Sequence, residues 1–255
     1  MGQPMGALIR PLSADQIVQI WELGYAQHPL DRALICLAGG CPDLSMGAIA
    51  ILPIGQRDAA LLTLRELTFG ARLDSQATCP HCRELLEFSL NVADIRVIDL
   101  DQTPVEATPS VHHLHTEGLQ LTFRLPNSLD LAAIAPLSGD DARIQLAQRC
   151  LLQIEQEDQP LPPETLSEGA IAHLSQHFAE ADPQAEVWLD LHCPACGHDW
   201  RVLFDIASFF WSELQVQAQR LLQEVHLLAR AYGWREADIL ALSAARRRYY
   251  LELVS

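Results

Sequence analysis

The chain contains no lysine; all 17 of its basic residues are arginine. Schiff-base enzymes, Walker-type phosphate loops and protein kinases each place a lysine at the reacting centre, so those classes are excluded. Codon bias in the genome is the simplest cause of the absence. Long apolar runs are missing too. No stretch approaches the roughly 20 uninterrupted apolar residues of a membrane-spanning helix, and even residues 202–211 are broken by Asp205 and Ser208. Residues 1–10 have no basic segment leading into an apolar one, so a signal peptide is not expected and the expected location is the cytoplasm. Positive charge is scarce, with 33 acidic side chains against 17 arginines and a net charge of −16. Such a surface repels polyanions, which makes free nucleic acid an unexpected partner. No Gly-rich phosphate loop, G-x-S-x-G elbow or H-E-x-x-H pair occurs, so neither an enzyme nor a small-molecule substrate is expected.

What is present suits a globular protein: 255 residues, 49% hydrophobic, enough for one large or two modest domains. Ser13 is placed to cap a helix over residues 13–25, where Ile17, Ile20 and Trp21 recur at helical spacing. A second helix is expected over 31–37, ended by Gly39 and Gly40, and a third over 55–67, closed by Phe69 and Gly70. Periodicity does not decide between helix and strand for 44–54. After Cys79-Pro80-His81-Cys82, the residues Leu86, Phe88, Leu90 and Val92 alternate with polar or small neighbours, which reads as a metal knuckle running into a strand. Residues 102–116, with Pro104 and Pro109, read as an exposed loop or hairpin connection before a strand over 119–125. Helical patterning returns over 128–178: Ser128 caps a short helix, 142–154 form a second, and 164–178 follow Pro162-Pro163. A strand with Val187, Leu189 and Leu191 then enters Cys193-Pro194-Ala195-Cys196, and one with Trp200, Val202 and Phe204 leaves it. Residues 206–255 read as helical throughout, with an apolar stripe from Ile206 to Leu228 and Gly233 as a C-cap.

The expected fold class is α+β, mainly helical, with a small antiparallel zinc-ribbon-like β unit built from two separated C-x-x-C knuckles. The expected organisation is an N-terminal helical region (1–72), a split ribbon unit (73–127 and 186–205), an inserted helical segment (128–185) and a C-terminal helical hairpin (206–255).

Of seven cysteines, Cys79, Cys82, Cys193 and Cys196 form the two C-P-x-C pairs, and superposing the pairs brings the alternation that follows each into phase. Two cysteines separated by two residues bite one ion, and two such turns complete the four thiolates of a closed structural zinc site. The other readings are hairpin tips without metal, or a thiol-exchange site, which would want its pair at the start of a helix. His81, His192 and His198 flank the cysteines as substitute ligands or hydrogen-bonding neighbours. His112, His113 and His115 read as a solvated group rather than a second metal site, and Cys36, Cys41 and Cys150 as buried structural thiols. For partner binding the candidates are Trp211, Trp234, Arg247, Tyr249 and Tyr250, since Trp, Tyr and Arg dominate interface energetics. The competing role for Trp211 and Trp234 is filling the protein's own core.

Several segments carry a resemblance: Ile54-Gly55-Gln56-Arg57-Asp58 and the apolar helix after it, running into Phe69-Gly70 and the first knuckle; Phe123-Arg124-Leu125-Pro126-Asn127-Ser128; Cys193-Pro194-Ala195-Cys196-Gly197-His198; and Glu224-Val225-His226-Leu227 with Tyr232-Gly233-Trp234. Together they resemble phage-tail-like proteins grouped with the baseplate hub assembly chaperones of contractile-tailed phages and with contractile injection systems. The resemblance implies a non-enzymatic protein that helps assemble, or forms part of, a baseplate or hub, with other tail proteins as partners. The four-cysteine element departs from that group's general pattern. A zinc-ribbon regulatory or transcription-associated adaptor is the alternative, requiring Arg201, Arg246, Arg247 and Arg248 to converge on one face.

Overall fold

The computed structural model describes residues 5–98, 100, 110–157 and 159–254. Helices α1 (Ala14–Gly24), α2 (Pro29–Gly40), α3 (Met46–Ala50) and α4 (Ile54–Phe69) come first, followed by a hairpin of β1 (Arg72–Thr78) and β2 (Leu85–Asn91) and the one-turn α5 (Val92–Ile95). Next are β3 (Val111–Thr116), β4 (Leu119–Arg124), α6 (Ser128–Ile134), α7 (Gly139–Cys150), β5 (Leu151–Gln156), β6 (Gln159–Pro160) and α8 (Glu168–Ala181). A second hairpin, β7 (Trp188–His192) and β8 (Asp199–Leu203), leads into the long α9 (Ile206–Tyr232), then α10 (Glu236–Leu240) and α11 (Ala244–Glu252). The α+β class read from the sequence is the observed one.

Ser13 caps α1 as expected, in a reciprocal capping box with Gln16. One core forms where α9 lies across α1, α2 and α4. Phe210, Trp211, Leu214, Ala218 and Leu221 recur on one face of α9 and are buried with Ile17 and Ile20 of α1, Leu34 and Leu37 of α2, and Leu61 and Leu64 of α4. Full burial of each such leucine or isoleucine stabilises by about 1.5–3 kcal/mol. Gly24 is required by this packing, because a Cβ there would stand 2.5 Å from the Trp211 ring.

A second core lies on the antiparallel sheet β3-β4-β5-β6. Leu119, Leu121 and Phe123 alternate inward from β4 to meet Ala147 and Cys150 of α7, Ile154 of β5, and Ile171, Leu174 and Phe178 of α8. Three expectations are corrected here. Residues 151–156 are strand, not the end of a helix, because the chain turns extended at Leu151 and pairs Leu121 with Ile154. Residues 111–116 are strand β3, paired in register with β4, while 102–109 lie outside the described residues. The cap of α6 is Asn127, whose side chain accepts from the Leu129 and Asp130 N–H groups, and Ser128 is the first helical residue.

The two cores meet at the start of α4. Ile54 N–H donates to Pro126 O at 3.1 Å and Gly55 N–H to Asp182 Oδ2 at 2.8 Å. Beside them the buried Arg57 pairs with Asp58 and donates to Ser128 Oγ.

Candidate metal centre

Each hairpin turn is built the same way. In the first, Cys79 N–H donates to Glu84 O and Arg83 N–H to Cys79 O, both at 2.9 Å; in the second, Cys193 N–H donates to His198 O and Gly197 N–H to Cys193 O, also at 2.9 Å. The residue after the second cysteine is left-handed in both turns, Arg83 at φ 64° and Gly197 at φ 71°. Glycine adopts that conformation freely, whereas Arg83 bears a cost of about 1 kcal/mol.

The fold brings the turns together tip to tip. Cys79 Sγ lies 3.7 Å from Cys196 Sγ and Cys82 Sγ 3.5 Å from Cys193 Sγ, and all four sulfurs lie within 4.8 Å of one another. Zinc–sulfur bonds of about 2.3 Å in a tetrahedron put neighbouring sulfurs about 3.8 Å apart, so the set has the size of one ion's coordination shell. Cys79 and Cys193 are buried and Cys82 and Cys196 exposed, which places the centre at the protein's rim.

The protons divide unequally among the sulfurs. Desolvation raises the Cys79 thiol, but the N–H groups of Cys82 and His81 and the thiols of Cys82 and Cys193 outweigh it and pull it down to about 6. At Cys196 the His198 N–H lowers the thiol, but desolvation and the other three sulfurs prevail and push it up to about 12. One thiolate forms easily and the next is opposed, so four negative sulfurs need a bound dication.

His81 and His198 stack on each other at 5.6 Å, and His192 Nδ1 sits 2.7 Å from Asp199 on the exposed strand face; none of the three joins the sulfur cluster. The β3 histidines do not gather either. His112 stacks on Phe123 at 5.6 Å and is lowered by burial, whereas His113 faces the opposite side beside Thr122. Burial pushes the thiols of Cys36 and Cys150 up to about 12 and that of Cys41 to about 11, leaving them protonated. They supply no nucleophile.

The partner-binding candidates separate. Trp211 is buried in the first core, with the Arg32 guanidinium 4.8 Å over its ring, and Arg247 is buried against Glu224 at 2.9 Å. Both are internal, Trp211 because Gly24 leaves it room and Arg247 because α11 turns it onto α9. Trp234, Tyr249 and Tyr250 come together with Tyr232 in an aromatic cluster. Of the arginines an adaptor would gather, Arg201 is held by Asp190 and Trp188 on the second hairpin and Arg247 is buried.

Sequence reasoning missed one polar network. Asp130, fully buried, accepts from Arg124 at 2.5 and 2.9 Å, from Arg149 at 3.1 Å and from the Asn127 N–H at 3.1 Å. The Asn127-Ser128-Leu129-Asp130 spacing is a capping-box signal that would have found half of it.

Among the described residues no helix is long and apolar enough to cross a membrane. No curated protein and no solved structure matches the chain. Residues 38–211 match the model of a family described as T4 bacteriophage base plate protein. That span covers more than half of the chain and includes α4, both cysteine knuckles and the start of α9. The chain therefore belongs to the T4 bacteriophage base plate protein family.

Proposed function

We propose that the protein is a non-enzymatic assembly factor or structural component of the baseplate or hub of a phage-tail-like contractile particle, acting by binding other baseplate proteins. The family match over residues 38–211 carries this reading. The chemistry of the chain supports the non-enzymatic part. Four sulfurs around one ion leave no open coordination position, and the three remaining cysteines are buried and protonated.

Cys79, Cys82, Cys193 and Cys196 would hold a structural zinc. Bound there, the ion supplies a tetrahedral cross-link and no activated water. The two hairpins it would join follow α4 and precede α9 along the chain, and α4 is itself tied to α9 by Arg65, which donates to both carboxylate oxygens of Glu213 at 2.8 and 2.6 Å. Fixing the hairpins would hold the inserted sheet and helices at a set place relative to the helical core.

Quantitative mass spectrometry of purified sheathed particles and of soluble lysate from the same cells tests the role. Fixed stoichiometry in the particle makes the protein a baseplate or hub component, and a soluble complex with a tail protein, absent from particles, makes it an assembly chaperone. Absence from both overturns the reading.

A further inference from the structure

The four clustered cysteines differ in access. Cys82 and Cys196 are exposed, whereas Cys79 and Cys193 are buried, so each hairpin presents one sulfur that solvent reaches and one that it does not. The two sulfur–sulfur hydrogen bonds, Cys79–Cys196 at 3.7 Å and Cys82–Cys193 at 3.5 Å, both run from one hairpin to the other. Each of them joins an exposed sulfur to a buried one. The buried members are fixed in place, because Cys79 and Cys193 bond to their own turns through both N–H and C=O. A disulfide of about 2.05 Å is shorter than these contacts by about 1.5 Å, a gap that rotation of cysteine side chains at two turn tips can close. The remaining thiols, Cys36, Cys41 and Cys150, are buried away from any dissolved oxidant.

We propose that the cluster is a site of oxidative modification, at which a hydroperoxide forms two disulfides, Cys79–Cys196 and Cys82–Cys193, that join the hairpins covalently as a metal would join them by coordination. The exposed Cys82 thiol attacks the peroxide O–O bond, becoming a sulfenic acid and releasing water. The Cys193 sulfur then attacks the Cys82 sulfur; the S–S bond forms, the S–O bond breaks and the hydroxyl leaves as water with the Cys193 proton. Cys196 and Cys79 repeat the sequence. Two hydroperoxides are reduced and four thiols oxidised. Where an ion occupies the cluster, the same disulfides consume its four thiolate ligands and release it, and the protons come from solvent.

The direction of pairing sets the consequence. Disulfides closed within each C-x-x-C would leave the hairpins unjoined once an ion departed, whereas disulfides across them bridge positions 117 and 111 residues apart and constrain the unfolded chain. The inference rests on the cysteine cluster and not on the baseplate reading.

Because the chain lacks lysine, trypsin cuts it only after arginine, leaving Cys79 and Cys82 together in residues 73–83 and Cys193 and Cys196 together in residues 150–201. Full-length protein purified without oxygen, both as isolated and after chelation, is treated with about two equivalents of hydrogen peroxide, alkylated, digested without reductant and analysed by mass spectrometry. The expected product is 73–83 linked to 150–201, four hydrogens lighter than the two reduced peptides and separated by dithiothreitol. Cys79→Ser with Cys196→Ser should keep the link through Cys82 and Cys193, Cys82→Ser with Cys193→Ser should keep it through Cys79 and Cys196, and Cys150→Ser should leave it intact. The oxidised, chelated protein should show a higher urea midpoint than the reduced, chelated one. Disulfides confined within each peptide, sulfinic acids in their place, or a link lost in Cys150→Ser overturns the proposal. Linkage in a protein purified without zinc would keep this inference while removing the zinc reading, and zinc released with the two peptides unlinked would do the reverse.

Discussion

Gly55→Ala should destabilise the protein, although alanine is the better helix former. Gly55 is the second residue of α4, and its N–H donates to the buried carboxylate of Asp182 at 2.8 Å. A Cβ at this position would lie 1.9 Å from Asp182 Oδ1, 2.7 Å from its Cγ and 3.1 Å from the Ala185 backbone nitrogen. The carboxylate must move, and the turn it belongs to is itself closed by the Ala185 N–H bond to Asp182 O at 3.0 Å. Alanine gains about 0.5–1 kcal/mol in helix propensity, while losing a hydrogen bond to a charged acceptor costs about 1.5–3 kcal/mol. The net expectation is a loss of about 1–2 kcal/mol, read as a lower urea midpoint at unchanged slope. In an Asp182→Ala background the clash is gone, and the same substitution should be neutral or stabilising. A Gly55→Ala protein as stable as the wild type, or an equal loss in both backgrounds, would refute the reasoning.

Asp130→Ala should cost about 3 kcal/mol, because it strands Arg124, largely buried, and Arg149, partly exposed; a loss in urea unfolding below about 1 kcal/mol would show that the network is not held as described. Desolvation pushes the Asp58 carboxyl up to about 6 against the pull of Arg57, with Asp205 and Asp182 adding to the rise. The native state then binds a proton that the unfolded chain lacks between about pH 4 and 6, so this residue's contribution to stability grows as the pH falls through that window. The stability difference between wild type and Asp58→Asn should shift in favour of wild type from pH 7 to pH 5, and a flat difference would contradict the assignment. Chelation of metal should speed amide exchange at residues 79–84 and 193–198 while the α9 core positions Phe210 and Leu214 stay protected; exchange unchanged at the knuckles would mean that no ion holds them.

The parts of the fold legible in the sequence are those where local pattern and tertiary role agree. The reading of 55–67 as helix lies inside the observed Ile54–Phe69, and the alternation after each knuckle appears in the registers Leu73–Leu90 and Leu189–Val202. The C-x-x-C spacing identified the sulfurs, and the fold alone shows that they converge. Strand β5 was hidden because Leu151 and Ile154 stand at a spacing equally at home on a helix, and only pairing with β4 decides between them. Strand β1 was hidden because Arg72, Asp74, Gln76 and Thr78 face solvent while Leu73 alone is fully buried, which leaves little apolar alternation to read. The contact of Gly55 with Asp182 joins residues 127 apart in sequence, and no local pattern announces such a pairing. The burial of Trp211 follows from space at Gly24 on another helix, again a relation between elements.

The most direct test of the metal centre is zinc content by mass spectrometry in protein purified without oxygen, for the wild type, Cys79→Ser and Cys193→Ser. One zinc ion per wild-type chain, lost from both variants although the substitutions lie on different hairpins, is the expected result, because four sulfurs within 4.8 Å of one another would serve a single ion. A wild type without zinc, or full zinc occupancy in either variant, would contradict it.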